Sequence, residues 1–206
     1  MRKQLKILSL ILAAVMVAVS LTACGANPEK QAEKAVSICF TALKAGELET
    51  AANYLNDTDI IGIGDDTEDS AMNEAMTKTV FGKLNYKILS STLVDDNTVT
   101  VKVEISNVDM KPVFTEFFTQ ALQYALTNAF ADPKPTEEES NQKMEEIFNS
   151  CISKEDLATV TKEVDVKVVN DGDSWIIEGD DKLANALLGG LLDAVEELED
   201  SFSNLG

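Results

Sequence analysis

The alternation of apolar and polar residues divides the chain into a leader, several helices and two hairpins. A largely apolar run, Ile7 to Leu21, follows the basic residues Arg2, Lys3 and Lys6. It is shorter than the about 20 residues a spanning helix needs, and no basic stop-transfer cluster follows it. Beyond it, Asn27-Pro28-Glu29 opens a helix, and Ala32, Ala35, Val36, Cys39, Phe40 and Leu43 recur at the spacing of one helical face until Gly46. A short second helix is predicted over Glu47 to Leu55, with Leu48, Ala51, Ala52 and Leu55 inward. Met72, Ala75, Met76 and Val80 give an apolar side to a further helix over Ala71 to Phe81.

The period then shortens from helical to extended. Leu84 to Val94 reads as a strand, Asp95-Asp96-Asn97 as a turn, and Thr98 to Ser106 alternates cleanly, with Val99, Val101, Val103 and Ile105 on the buried side. After Asp109 and Pro112 comes a long helix. Its stripe of Phe114, Phe117, Phe118, Ala121, Leu122, Ala125 and Ala129 predicts a main core element rather than a ligand site. Thr136 and Glu139 form a capping box for the next helix, which places Met144, Ile147, Phe148 and Cys151 inward. Val164, Val166 and Val168, the turn at Asn170-Asp171-Gly172-Asp173, and Trp175 to Ile177 make a second hairpin. A last helix carries Leu183, Leu187, Leu188, Leu191, Leu192, Val195 and Leu198, with Gly189-Gly190 expected to weaken or kink it by about 1 kcal/mol each. It either docks on its own domain or fits a partner groove. The expectation is an α+β fold: an antiparallel sheet of about four strands, in two hairpins, covered by helices.

Composition narrows the chemistry. The chain has 17 Lys and Arg against 36 Asp and Glu, and loss of Arg2, Lys3 and Lys6 with the leader leaves a mature charge of −22. Such a surface repels phosphate backbones, so nucleic acid is not an expected partner, and it offers anionic headgroups no basic patch. There is no His, which excludes Ser-His-Asp and Cys-His catalysis and His-containing zinc sites. No cofactor is expected. The acidic loop 57–69, with Asp57, Asp59, Asp65, Asp66, Glu68 and Asp69, lacks the ligand spacing of an EF-hand. It reads as a solvated loop, with a cation as the alternative. Cys39 and Cys151 are either a disulfide or two buried thiols.

Leu21-Thr22-Ala23-Cys24 resembles the lipobox of a bacterial lipoprotein. The resemblance implies a signal peptide over 1–23, lipidation of the Cys24 thiol, and a linker over 24–26. One α+β domain over 27–206 would then be tethered to the extracytoplasmic face of the cell membrane. Lys44-Ala45-Gly46-Glu47-Leu48-Glu49 with Tyr54-Leu55, the helix after Val108-Asp109-Met110, and Asp171-Gly172-Asp173-Ser174-Trp175 resemble uncharacterised Gram-positive lipoproteins whose mature part is similar to the NTF2-like, or cystatin-like, superfamily. That fold rests helices in a curved sheet, and its isomerases and cyclases place an acid/base Asp or His and a Tyr inside the cone. No matching motif is present here, although Tyr54, Tyr86, Tyr124 and Asp109 are available. The expected function is a non-enzymatic binding or interaction module of the cell envelope. It would meet the membrane through its lipid and an envelope protein or small ligand through its surface. The alternative is a pocket enzyme acting on a small hydrophobic molecule, which would need a cavity under the sheet with a carboxylate and a Tyr converging in it.

Overall fold

A computed structural model describes residues 27–58 and 78–203. The leader 1–23, Cys24, most of the acidic loop 57–69 and most of the helix predicted over Ala71 to Phe81 lie outside the described residues.

Helix α1 (Pro28–Ala45) starts where the sequence says it should. The Asn27 side chain accepts from the N–H groups of Glu29 and Lys30, and Gly46, at φ 74°, closes the far end with its N–H on Leu43 O. All six predicted inward residues are buried, joined by Ala42. Helix α2 (Leu48–Ala52) is shorter than predicted because the chain leaves it to run beside the sheet: Leu55 bridges Ile177 in parallel.

Strands β1 (Asn85–Asp95), β2 (Thr98–Val108), β3 (Thr159–Asn170) and β4 (Trp175–Glu178) form one antiparallel sheet in that order. The β2–β3 pairing runs without a break from Thr98↔Val169 to Val108↔Thr159 and joins the two predicted hairpins. Val99, Val101, Val103 and Ile105 of β2, Val164, Val166 and Val168 of β3, and Ile177 of β4 point to one face. There α1 and a later helix, α5 (Asp181–Leu187), cover them. The opposite face carries charge, with Lys102 3.4 Å from Glu163 and Lys167 2.7 Å from Glu178. The fold is therefore α+β, its sheet apolar on one side and polar on the other.

Helices α3 (Met110–Asn128) and α4 (Glu137–Ile152) follow β2, and α6 (Leu191–Ser203) ends the described chain. Asp109 caps α3, which starts at Met110, ahead of Pro112, and its carboxylate accepts from Lys111 N–H. The capping box of α4 is present in both directions. These helices enclose a second cluster of Val80, Val108, Met110, Val113, Ile147, Phe148, Cys151 and Ile152, separate from the one under the sheet. Asn107, 1% exposed, sits at the junction. Its amide donates to Val80 O and Leu187 O while its carbonyl accepts from Val108 N–H, so the polar group at the joint is fully bonded.

Two expectations need correction. Most of the stripe on α3 is not core: the helix's fully buried residues are Met110 and Val113, Phe117 is half-buried edge-on against Phe148, and Leu122, Ala125 and Ala129 are exposed. Its packing partners are α4 and α6, so no sheet covers its outer side. The last helix is not kinked but cut in two at Gly189 and Gly190, both at positive φ.

Candidate functional site

Four side-chain contacts orient α1 on the sheet. At its N-terminal end Trp175 Nε1 donates to Gln31 Oε1 (3.2 Å) and Ser91 Oγ to Glu33 Oε1 (2.6 Å). Toward its C-terminal end Thr41 Oγ1 and Tyr86 Oη lie 3.0 Å apart, and Lys44 Nζ donates to Asn85 Oδ1 (2.8 Å). The N-terminus of α1 thus lies toward the two hairpin turns, the end from which the chain leads back through Asn27 to Cys24. α3 and α4 begin and end at the other end of the sheet, where β2 finishes and β3 starts.

The hairpin turns are acidic and tightly bonded. Asp95 accepts from Asn97 N–H, and Asp171 from the N–H groups of Asp173 and Ser174. These bonds favour the charged form and hold both carboxyls below their ordinary range. Glu33 is lowered too, by Lys30 and then Ser91.

Tyr54, Tyr86, Tyr124 and Asp109 do not converge on one place. Tyr86 packs under the sheet edge-on against Phe40, with ring centroids 5.3 Å apart, and donates to Ser37 O. Tyr54 lies beside β4, where its carbonyl accepts from Ile177 N–H. Tyr124 belongs to the second cluster and Asp109 is the cap of α3. Phe40, Leu43, Phe81, Leu84, Ile105 and Ile177 fill the space between α1 and the sheet.

Nor are the two sulfurs brought together. Cys39 lies under the sheet with Sγ 3.7 Å from Ala51 O; Cys151 lies in the second cluster, where its Sγ is 3.6 Å from Gln120 Nε2. Both are free thiols. Burial pushes Cys39 up to about 12 and raises Cys151 as well, so neither is a ready nucleophile. Among the described residues no group of three or more Cys, Asp or Glu could hold a metal ion, and no helix is long and apolar enough to cross a membrane.

Among the described residues, three hollows lie on the outside of the helices. One of about 340 Å³ runs between α1 and α2 beside Ile38 and Thr41. A second, about 490 Å³, lies between α3 and α4 and is lined by Gln123, Tyr124, Asn128 and Glu146. A third, about 610 Å³, lies on α3 itself, along Lys111, Pro112, Thr115, Glu116, Thr119 and Gln120. Farther along that helix Leu122 and Leu126 are 47% and 63% exposed, and just past its end Phe130 is 95% exposed. The sequence carries a signal for this surface that hydrophobic periodicity misses: no charged residue occurs from Phe117 to Ala131.

No protein-family model matches the sequence, and no curated protein matches it. Among solved structures the chain is similar to the crystal structure of a candidate lipoprotein (ycdA) from Bacillus subtilis, at 18% identity and a TM-score of 0.41. The match covers 77% of this chain and 46% of that one, so this chain spans less than half the length of its structural neighbour.

Proposed function

We propose that the protein is a lipid-anchored binding module on the extracytoplasmic face of the cell membrane. The observation that carries this reading is Leu21-Thr22-Ala23-Cys24 at the close of a basic-then-apolar leader, with α1 starting at Pro28. The four steps from Cys24 to Pro28 span at most about 14 Å of extended chain. A diacylglyceryl group on Cys24 would therefore hold the hairpin-turn end of the sheet close to the bilayer. Asp95, Asp96, Asp171 and Asp173 at that end repel anionic headgroups, so the domain stands off the surface and its helical end faces outward. A binding role rather than a catalytic one is supported by the dispersal of Tyr54, Tyr86, Tyr124 and Asp109 over separate parts of the fold. The resemblance to NTF2-like lipoproteins belongs to the same proposal.

Metabolic labelling with an alkyne fatty acid tests the anchor. The full chain is expected to take up label and sediment with membranes, and Cys24→Ala to lose both properties. Label retained by Cys24→Ala would overturn the attachment site.

A further inference from the structure

We propose that α3, α4 and α6 form a cooperative unit that opens, exposing its own core, while the sheet and the helices covering it stay closed, and that Asn107 is its clasp. Among the described residues eight buried apolar side chains make the core of this unit, against twenty-four in the cluster between the sheet and its helices. No buried residue belongs to both, and the half-buried Leu188 packs against the two. α3 packs chiefly on α4 and α6, and α6 on α3 and α5. The unit joins the sheet where β2 ends and β3 begins. A small core attached at one end has the least burial to hold it, which puts it at the low-stability end of the structure.

The joint between the two cores runs between neighbouring residues. Phe81, Ile105 and Leu187 lie in the larger core, Val80 and Val108 in the smaller one. Asn107 stands between them: its amide donates to Val80 O at 3.3 Å and to Leu187 O at 2.7 Å, and its carbonyl accepts from Val108 N–H at 2.8 Å. Around it Met110 N–H donates to Gly189 O at 2.9 Å, Asp193 N–H to Asn185 Oδ1 at 3.3 Å, and Lys162 Nζ lies 2.9 Å from Asp193. Hydrogen bonds gathered at one place, rather than a shared apolar core, therefore hold the unit to the sheet. Opening bares the inner sides of α3 and α4, with Val113, Phe117, Ile147 and Phe148, while α1 stays seated on the strands. The inference is independent of the anchored reading and does not require the lipid.

Each core holds one buried thiol, Cys151 in the unit and Cys39 between α1 and the sheet, so thiol labelling reads the two separately. The full-length protein is treated with iodoacetamide over a urea series below its unfolding midpoint, and each thiol is quantified on its own peptide by mass spectrometry, whatever the state of Cys24. Relative to the unfolded chain, Cys151 is expected to react at least ten-fold faster than Cys39 in buffer. Its rate should rise with urea less steeply than that of Cys39, because less surface is exposed when the unit alone opens. Ile177→Val, in the larger core, is expected to speed Cys39 about two- to ten-fold and to leave Cys151 unchanged, whereas Ile152→Val, in the unit, speeds both. Asn107→Ala should speed Cys151 at least ten-fold, and an unchanged rate would overturn its role as the clasp. Equal relative rates, or an Ile177→Val effect shared by both thiols, would describe one cooperative fold and overturn the proposal. So would Cys151 labelling that ignores urea, which would mean local breathing around the thiol. If Asn107→Ala does not fold, the unsubstituted protein and Ile177→Val decide.

Discussion

Glu33 illustrates how single residues set the α1–sheet geometry. Its carboxylate accepts a hydrogen bond from the Ser91 hydroxyl on β1 and lies 2.7 Å from Lys30 one turn earlier on its own helix, so strand and helix are tied through a charged acceptor. Because the folded carboxyl is lowered from its ordinary value by Lys30 and Ser91, its contribution to stability is complete above the unfolded pKa, about 4.3. That contribution is lost as pH falls through the lower folded value. Ser91→Ala should therefore cost about 1 kcal/mol at pH 7, and the difference from the unsubstituted protein should shrink toward zero as the carboxyl protonates. Urea titrations at a series of pH values check it. A difference that grows on acidification contradicts the assignment.

Among the elements, the break between α5 and α6 rests on one close approach. A Cβ at Gly189 would run into the carbonyl oxygen of Val108, while one at Gly190 would meet open space, although both residues have positive φ. Gly190→Ala thus carries only the backbone penalty, about 1–2 kcal/mol. Gly189→Ala must in addition push α5 off the end of β2, where Met110 N–H donates to Gly189 O and Asn107 binds Leu187 O. Thermal melts should show the larger loss at Gly189; equal losses would mean that the junction is loose. Glycine composition alone predicts a weak helix here, and the complete break follows from a contact 81 residues away in sequence. The elements themselves are legible wherever caps and periodicity agree, as at Asn27, Gly46 and Thr136–Glu139, and in the alternation of β2. The fate of α3 is not, because an apolar stripe reads identically whether a sheet, a second chain or water lies over it. Its charge-free run was visible in the sequence; its exposure required knowing that α3 packs on α4 and α6 rather than under the sheet.

At the scale of the whole molecule the acidic excess works against compactness. With 36 acidic residues to 17 basic ones, self-repulsion raises the folded state more than the expanded one. Raising salt from about 10 mM to about 150 mM shortens the screening length from about 30 Å to about 8 Å. The full chain should gain roughly 1 kcal/mol, or about 2–4 °C in melting temperature. Calorimetry of the protein in detergent checks the sign, and a melting temperature that falls with salt would mean that paired charges outweigh the net excess.

The edges of the sheet decide whether copies of the chain can join strand to strand. β1 is irregular at Leu89 and again at Val94, and beside β4 the backbone of residues 54–56 is already bonded to Ile177. Neither rim is a straight ladder onto which a neighbour's strand could zip. Crowding on a membrane would otherwise invite open-ended polymer growth, strand upon strand. Among the described residues no straight sheet edge is on offer, so a population tethered as proposed above would stay dispersed at high density.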